Sequence, residues 1–167
     1  MKRILTAILA LALCLGLAAC GSDTAADAPD LQAYYDDFMA SLGEEDAPMM
    51  MEITDDLVDS MYPGLSDYEL SQRVLHTAAI SAVAFEMALV EVADAADVEA
   101  VKGIFQSRID SQVEGGAMYP ATVEAWQNQS HIVDRENYVA LFVGEGSDQM
   151  AELFNAAGAT ESAPEAE

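Results

Sequence analysis

The chain has 167 residues, of which 30 are acidic and 6 are basic, and its formal net charge is −24 at pH 7. So negative a chain excludes nucleic acid as a partner, because phosphate backbones are held by basic side chains. The length is enough for one domain with a hydrophobic core and short for two.

The first nineteen residues predict a secretory signal peptide. Lys2 and Arg3 precede an apolar run over 4–19, and small residues end it. A membrane-spanning helix needs about 20 apolar residues, so this run is short for that role. We therefore expect residues 1–19 to be removed during secretion.

Cys20 directly follows this run. Leu17-Ala18-Ala19-Cys20 resembles the lipobox of bacterial lipoproteins, in which a diacylglyceryl group is attached to the cysteine before cleavage. Two acyl chains give a stable anchor where one holds only marginally. The resemblance implies that Cys20 is lipidated and holds the protein on the outer face of the cytoplasmic membrane. The alternative is an ordinary secretory signal followed by a chance cysteine.

Cleavage before Cys20 would leave 148 residues with four basic and thirty acidic side chains, a formal charge of −26. Cys14 would be lost with the signal, so no intramolecular disulfide could form and packing alone must stabilise the domain. We interpret residues 20–29 as the lipidated cysteine and a flexible polar stalk. Residues 30–157 are expected to form a single domain, and residues 158–167 a disordered acidic tail.

The first half of the domain begins with helices. Asp30 caps a helix over 31–42, Thr54 caps a second that ends before Pro63, and Ser66 with Glu69 has the form of a capping box that opens a third. Residues 74–92 then carry no charge until Glu86 and predict two strands, although the first could instead be a buried helix.

The second half alternates helices and strands. A stripe of Val98, Val101, Phe105, Ile109 and Val113 predicts a long helix that Asp94 or Asp97 caps and Gly115-Gly116 ends. A short helix with Val123 and Trp126 follows Tyr119-Pro120. Strands over 131–133 and 138–143 form a hairpin, and Ser147 caps a last helix whose Met150, Leu153 and Phe154 face inward.

The order of these elements predicts an α+β fold. We expect a mainly antiparallel sheet of about four strands, preceded by N-terminal helices. Strand-then-helix occurs twice, at 88–90 and at 140–142. This repetition would place both following helices on the same face of the sheet.

Several segments also resemble a known family. Glu86-Met87-Ala88-Leu89-Val90, the helix with Arg108, Tyr119-Pro120, and Val143-Gly144-Glu145 before Phe154-Asn155 are similar to the small bacterial lipoproteins catalogued as domain of unknown function 4358. The resemblance covers nearly the whole chain after Cys20. It implies a secreted, lipid-anchored protein with no assigned activity, and it supplies no catalytic residues.

Glu86 is the one candidate pocket residue. It shares a strand face with Ala88 and Val90, and a carboxylate on an apolar face is unusual. Glu91 falls on the opposite face, so the two do not form an acid–base pair. The alternative for Glu86 is an edge position or an ion pair with Arg108 or Arg73.

No cofactor, metal or catalytic site is predicted. Gly144-Glu145-Gly146 lacks the third glycine of a dinucleotide fingerprint, and no calcium loop is present. His76 and His131 lie in strands without ligand spacing, and Met49, Met50 and Met51 point in different directions, which favours hydrophobic gap-filling over copper binding.

The sequence therefore predicts a non-enzymatic, lipid-anchored binding or assembly module of the bacterial cell envelope, whose protein partner is unknown. The alternative is a small extracytoplasmic hydrolase, or a small-ligand or cation-binding lipoprotein that uses carboxylates. A nucleophile motif such as G-x-S-x-G is missing.

Overall fold

The computed structural model of the protein describes residues 30–42 and 47–156. The predicted signal peptide, Cys20, the predicted stalk and the predicted tail lie outside these residues. The described helices are α1 (Leu31–Leu42), α2 (Asp55–Met61), α3 (Val98–Ser111), α4 (Pro120–Asn128) and α5 (Ser147–Ala156). The described strands are β1 (Met50–Glu52), β2 (Leu70–Ala78), β3 (Glu86–Val92), β4 (Ser130–Arg135) and β5 (Tyr138–Val143).

The strands form one antiparallel sheet in the order β1-β2-β3-β5-β4. The α+β class and the single domain are confirmed. The sheet has five strands, one more than expected, because β1 was not predicted. A three-residue strand is too short to show the alternation by which strands are recognised, and it lies at the edge of the sheet.

Helices cover both faces of the sheet, so the expectation of one covered face was wrong. On one face, α2, α3 and α4 pack on residues of β3 and β5 that include Val90 and Leu141. On the other, α1 and α5 pack on residues that include Leu89 and Phe142. The two strand-then-helix units therefore place α3 and α5 on opposite faces.

The composition of the central strands explains why both faces are covered. Every residue of β5 is buried, and β3 is buried except at Glu91. Since successive side chains of a strand point to opposite faces, both faces of these two strands are apolar and need cover. The second strand-then-helix unit therefore cannot join the first on the side that α3 already occupies.

Local sequence patterns correctly predicted most of the other helices and strands. Asp30 caps α1 as predicted, since its Oδ1 accepts hydrogen bonds from the backbone N–H groups of Gln32 and Ala33. Asp94 accepts from the N–H of Ala96 in the short turn before α3. The hairpin β4–β5 is present, with its loop shortened to Glu136 and Asn137 because β4 continues to Arg135.

The capping box at Ser66 was a wrong prediction. Residues Leu65–Asp67 form only one turn of 3₁₀-helix, and β2 begins at Leu70. The Ser66 hydroxyl donates to Asp59 Oδ1, 2.6 Å away in α2. The side chain thus makes a tertiary contact in place of the predicted helix cap.

The last helix also differs from expectation in two side chains. Met150 and Phe154 are buried, but Leu153 is 54 % exposed. Ser147 is the first residue of α5, and its hydroxyl donates to the carbonyl oxygen of Gln129 at 2.8 Å. Ser147 therefore ties α5 to the end of α4.

Candidate functional site

One end of the domain is formed by chain segments that are rich in apolar residues and contain no charged residue. Three segments meet there, namely 47–51 around the start of β1, 77–85 at the β2–β3 turn, and 115–123 between α3 and α4. The backbone N–H of Ala79 donates to the carbonyl oxygen of Met49 at 2.8 Å, which joins the first two segments. The second and third line a common cleft. We call these three segments the apolar end.

The apolar end holds most of the large hydrophobic side chains that the structure exposes. Among the described residues seven such side chains are exposed, and only Leu153 lies elsewhere. Met118 is 77 % and Met49 70 % exposed. The other four at this end are Met51, Ile80, Val83 and Tyr119. Exposed apolar side chains that are gathered at one end of a domain and have a polar rim are typical of a binding site.

Exposed carboxylates lie around this surface. Glu52 follows the first segment, and Glu114 and Glu124 flank the third. Beside the β2–β3 turn, an open groove of about 750 Å³ is lined by Val83 on one side and by Glu145 and Asp148 on the other. The apolar end therefore has an acidic rim.

A smaller cleft of about 250 Å³ opens within the apolar end. Ser81, Val83 and Met118 line it together with the buried side chains of Arg108 and Trp126. Its walls come from the β2–β3 turn, from α3 and from α4. The cleft therefore connects the exposed surface with the interior of the domain.

A buried ion pair lies beneath this cleft. Glu86 is fully buried, and its carboxylate accepts hydrogen bonds from Arg108 Nε at 2.9 Å and Nη2 at 2.8 Å. The Tyr62 hydroxyl donates to Glu86 Oε1 as well. This bidentate geometry fixes the plane of the guanidinium group.

Two aromatic rings also contact the guanidinium group. Its central carbon lies 5.2 Å from the centroid of the Trp126 ring and 5.7 Å from that of Tyr62, within the range of cation–π attraction. Burial would lower the pKa of Arg108, but hydrogen bonding and the charge of Glu86 outweigh it and raise that pKa above its usual value. Burial and the nearby Glu86 raise the pKa of Tyr62 well above its usual value.

The structure identifies which partner of Glu86 is present. Of the two arginines considered, Arg108 pairs with Glu86, whereas Arg73 pairs with Asp55. Glu91 lies on the opposite face and accepts hydrogen bonds from Gln72 and Asn137. Arg108 lines the cleft and Glu86 lies behind it, so a direct pocket role for Glu86 remains a hypothesis.

Sequence reasoning missed the apolar end. A usable signal was present, because each of the three segments is a charge-free run with large apolar residues in a chain that is 22 % charged. The interpretation of Met49–Met51 as gap-filling was wrong for two of the three, since Met49 and Met51 are exposed at the edge strand.

The two histidines are separate. His76 stacks on Tyr35, with ring centroids 4.1 Å apart, and His131 lies in the edge strand β4. Within residues 30–42 and 47–156, no group of three or more His, Cys, Asp or Glu side chains is placed to hold a metal ion.

No helix in the described part of the chain is long and apolar enough to cross a membrane.

No match to the chain was found among curated proteins or among solved structures. The sequence profile of one family, described as "Domain of unknown function (DUF4358)", matches residues 43–144. This range is more than half of the chain and includes β1 to β5, the cleft and the Glu86–Arg108 pair. The protein therefore belongs to the DUF4358 family.

Proposed function

We propose that this protein is a non-enzymatic binding module, anchored through Cys20 to the outer face of the bacterial cytoplasmic membrane, whose apolar end binds a protein of the cell envelope. The anchor is supported by the basic start, the apolar run and the lipobox residues. The single observation that carries the binding role is the apolar end, where a chain with a net charge of −24 exposes large hydrophobic side chains and no charge.

The position of α1 supports an apolar end that the anchor does not cover. At the start of α1, the N–H of Leu31 donates to Gln72 near the beginning of β2. At its end, Leu42 lines the groove beside Val83. The chain thus enters the domain about 20 Å from the apolar end, since β2 runs from Gln72 to Ala78 with a rise of about 3.3 Å per residue. An anchor on Cys20 would therefore attach to the domain at a distance from the apolar end and leave that end free to bind.

The negative charge of this protein restricts the kind of surface that a partner can present to it. Anionic lipid and a second copy of this chain would both be repelled by so negative a body. The acidic rim around an apolar centre instead matches a protein surface with an apolar centre and basic residues around it, which is the usual arrangement of a complementary interface. We infer that the partner carries such a surface.

The anchor is tested by growing the bacterial host with an alkyne-labelled fatty acid. The wild-type protein should incorporate the label and sediment with membranes, whereas Cys20→Ala should do neither, because its side chain has no thiol to alkylate. Equal labelling of both proteins would contradict lipidation at Cys20.

The partner is tested by photocrosslinking in intact cells with a benzophenone amino acid at Val83 or at Met118. Leu153 is the matched control, because it is an exposed apolar side chain outside the apolar end. We expect the same heterologous protein adduct from both positions and none from position 153, with weaker adducts in high salt. Adducts that are lipids or dimers of this chain, or an equal yield at position 153, would overturn the proposal.

A further inference from the structure

One guanidinium nitrogen of Arg108, Nη1, takes no part in the contact with Glu86. Nε and Nη2 are held by Glu86, and Tyr62 and Trp126 contact the guanidinium group. Among the described residues nothing accepts a hydrogen bond from Nη1. The side chain is only 10 % exposed, and it lines the cleft. A rigidly held guanidinium group therefore borders the cleft.

The walls of the cleft supply acceptors. Within the part of the chain that the structure describes, Ser81 and Gln112 make no side-chain hydrogen bond, and both line the cleft. Thr122 donates its hydroxyl proton to the carbonyl oxygen of Tyr119 and keeps its lone pairs. A group that both accepts and donates hydrogen bonds would find partners on two sides.

The volume of the cleft suits one side chain. Pockets for drug-sized ligands measure about 300–1,000 Å³, and this cleft measures about 250 Å³. Two of the exposed apolar side chains, Val83 and Met118, also line it, and interfaces place their buried anchor residues in such pockets. A side chain of a bound protein fits this position better than a free small molecule.

Charge favours a neutral side chain. Glu86 already balances the charge of Arg108, so a carboxylate entering the cleft would lose its hydration without meeting a net positive charge. An amide oxygen accepts the same hydrogen bond from Nη1 and brings no charge with it. The amide NH₂ group can then donate to the oxygens of Ser81 or Gln112.

We propose that the cleft at Arg108 binds the side-chain amide of an asparagine or glutamine that the partner protein inserts into the apolar end. This inference rests on the proposed binding function and names the group that the surface recognises. Arg108 donates from Nη1 to the amide oxygen, and Glu86 is a positioning residue that holds the guanidinium plane.

The test uses propanamide as the probe and propanoate as its charged counterpart. Each is titrated to roughly 100 mM, since a ligand of five heavy atoms binds weakly, while ¹⁵N NMR follows the Arg108 Nε–H and the Trp126 indole N–H. We expect propanamide to shift both signals in a saturable manner and propanoate to shift them at least five-fold less at equal concentration. Equal or larger shifts with propanoate, or no shift with propanamide, would overturn the inference.

Two neighbouring substitutions provide the controls without touching the buried ion pair. Ser81→Trp fills the mouth of the cleft, whereas Ala82→Trp adds the same ring one residue away, where the side chain lines the larger groove. The propanamide shifts should disappear in the first variant and persist in the second. Shifts that persist in Ser81→Trp would place the probe elsewhere and contradict the inference.

This result is separable from the proposed function. Heterologous crosslinks at Val83 and Met118 without a propanamide response would refute the amide site and leave the partner surface supported. A propanamide response without crosslinks would support the amide site chemistry and refute the protein-binding role.

Discussion

Among the ion pairs of the described residues, Glu86 and Arg108 form the one whose two side chains are both buried. Both are buried, two hydrogen bonds join them, and a third reaches Glu86 from Tyr62. Burying two charges is costly, and the interaction is worthwhile only when both are present with good geometry. The pair therefore acts as a unit, and the loss of one member leaves an uncompensated charge.

We predict that Glu86→Gln lowers the free energy of unfolding by about 3–5 kcal/mol, the usual loss when one partner of a buried ion pair is removed. Urea denaturation with an unchanged m-value would measure it. Glu91→Gln is the matched control on the same strand. It should lose about 1 kcal/mol or less, because Glu91 is only partly buried and its hydrogen bonds come from neutral side chains. Equal losses in both variants would contradict a special role for the Glu86 pair.

His76 is a second residue whose environment has a measurable consequence. It stacks on Tyr35, and its Nδ1 is buried without a hydrogen-bond partner among the described residues. Burial lowers the pKa of His76 below 6.5, although Glu52 of β1 and Asp36 of α1 act in the opposite direction. The unfolded chain therefore binds a proton more readily than the folded one, and His76 contributes stability above pH 6.5 that is lost as the pH falls through the folded pKa.

We predict that His76→Phe removes this pH-dependent contribution, because phenylalanine keeps the stack on Tyr35 and has no titrating nitrogen. The difference in unfolding free energy between the variant and the wild type should move in favour of the variant as the pH is lowered from 7.5 to 5.5. Comparing the two proteins at each pH cancels the titration of the many carboxylates they share. A difference that is constant over this range would contradict the assigned role.

At the residue scale, the sequence could predict that Glu86 needs a partner but could not choose between Arg108 and Arg73. The need follows from the strand pattern, which places a carboxylate on an apolar face. The choice depends on how α3 crosses the sheet, which no local pattern encodes. The isolated stack of Tyr35 on His76 was unpredictable for the same reason, since it joins α1 to β2.

At the scale of elements, the turn between β5 and α5 shows how a single glycine permits close packing. Gly144 has φ of 109°, and a Cβ atom there would lie 2.3 Å from the carbonyl oxygen of Ala84. Its N–H donates to Gln129 at the end of α4. The turn thus lies against the β2–β3 connection, which is part of the apolar end, and glycine is required by both conformation and space.

We predict that Gly144→Ala lowers the free energy of unfolding by about 2–4 kcal/mol, since the left-handed conformation costs about 1–3 kcal/mol for other residues and the contact adds to it. Gly103→Ala is the matched control, because Gly103 lies in α3 with open space around it. That change should stabilise by about 0.5–1 kcal/mol. Thermal or urea unfolding of both variants gives the comparison, and a neutral Gly144→Ala would show that the turn is more adjustable than its geometry implies.

Element types were predictable where a pattern repeated over several residues, as in α1, α3 and the hairpin β4–β5. The elements that were predicted wrongly are short or have side chains engaged in tertiary contacts. Ser66 contacts Asp59 and caps no helix, and β1 is only three residues long. The prediction that both helices lie on one face was wrong because β3 and β5 are apolar on both faces, and each face therefore needs covering helices.

At the scale of the whole molecule, the distribution of charge separates the acidic body from the apolar end. The three segments of the apolar end are distant in the sequence, and each is unremarkable alone. Their meeting depends on the β1–β2 pairing and on the crossing of α3 and α4 over the sheet. Composition could therefore predict the acidic surface but not the place where these three segments interrupt it.

The same charge distribution predicts how salt affects stability. A net charge of −24 destabilises the compact state by self-repulsion, and at 1 M ionic strength the screening length falls to about 3 Å, from about 30 Å at 0.01 M. We predict that the urea midpoint rises as NaCl is added and that CaCl₂ of equal ionic strength raises it by a similar amount, because the described carboxylates form no cluster suited to a metal ion. The chloride salts share their anion, so the comparison isolates the cation. A much larger rise in CaCl₂, saturating at low concentration, would mean that carboxylates bind calcium specifically and that screening alone does not explain the stability of this acidic domain.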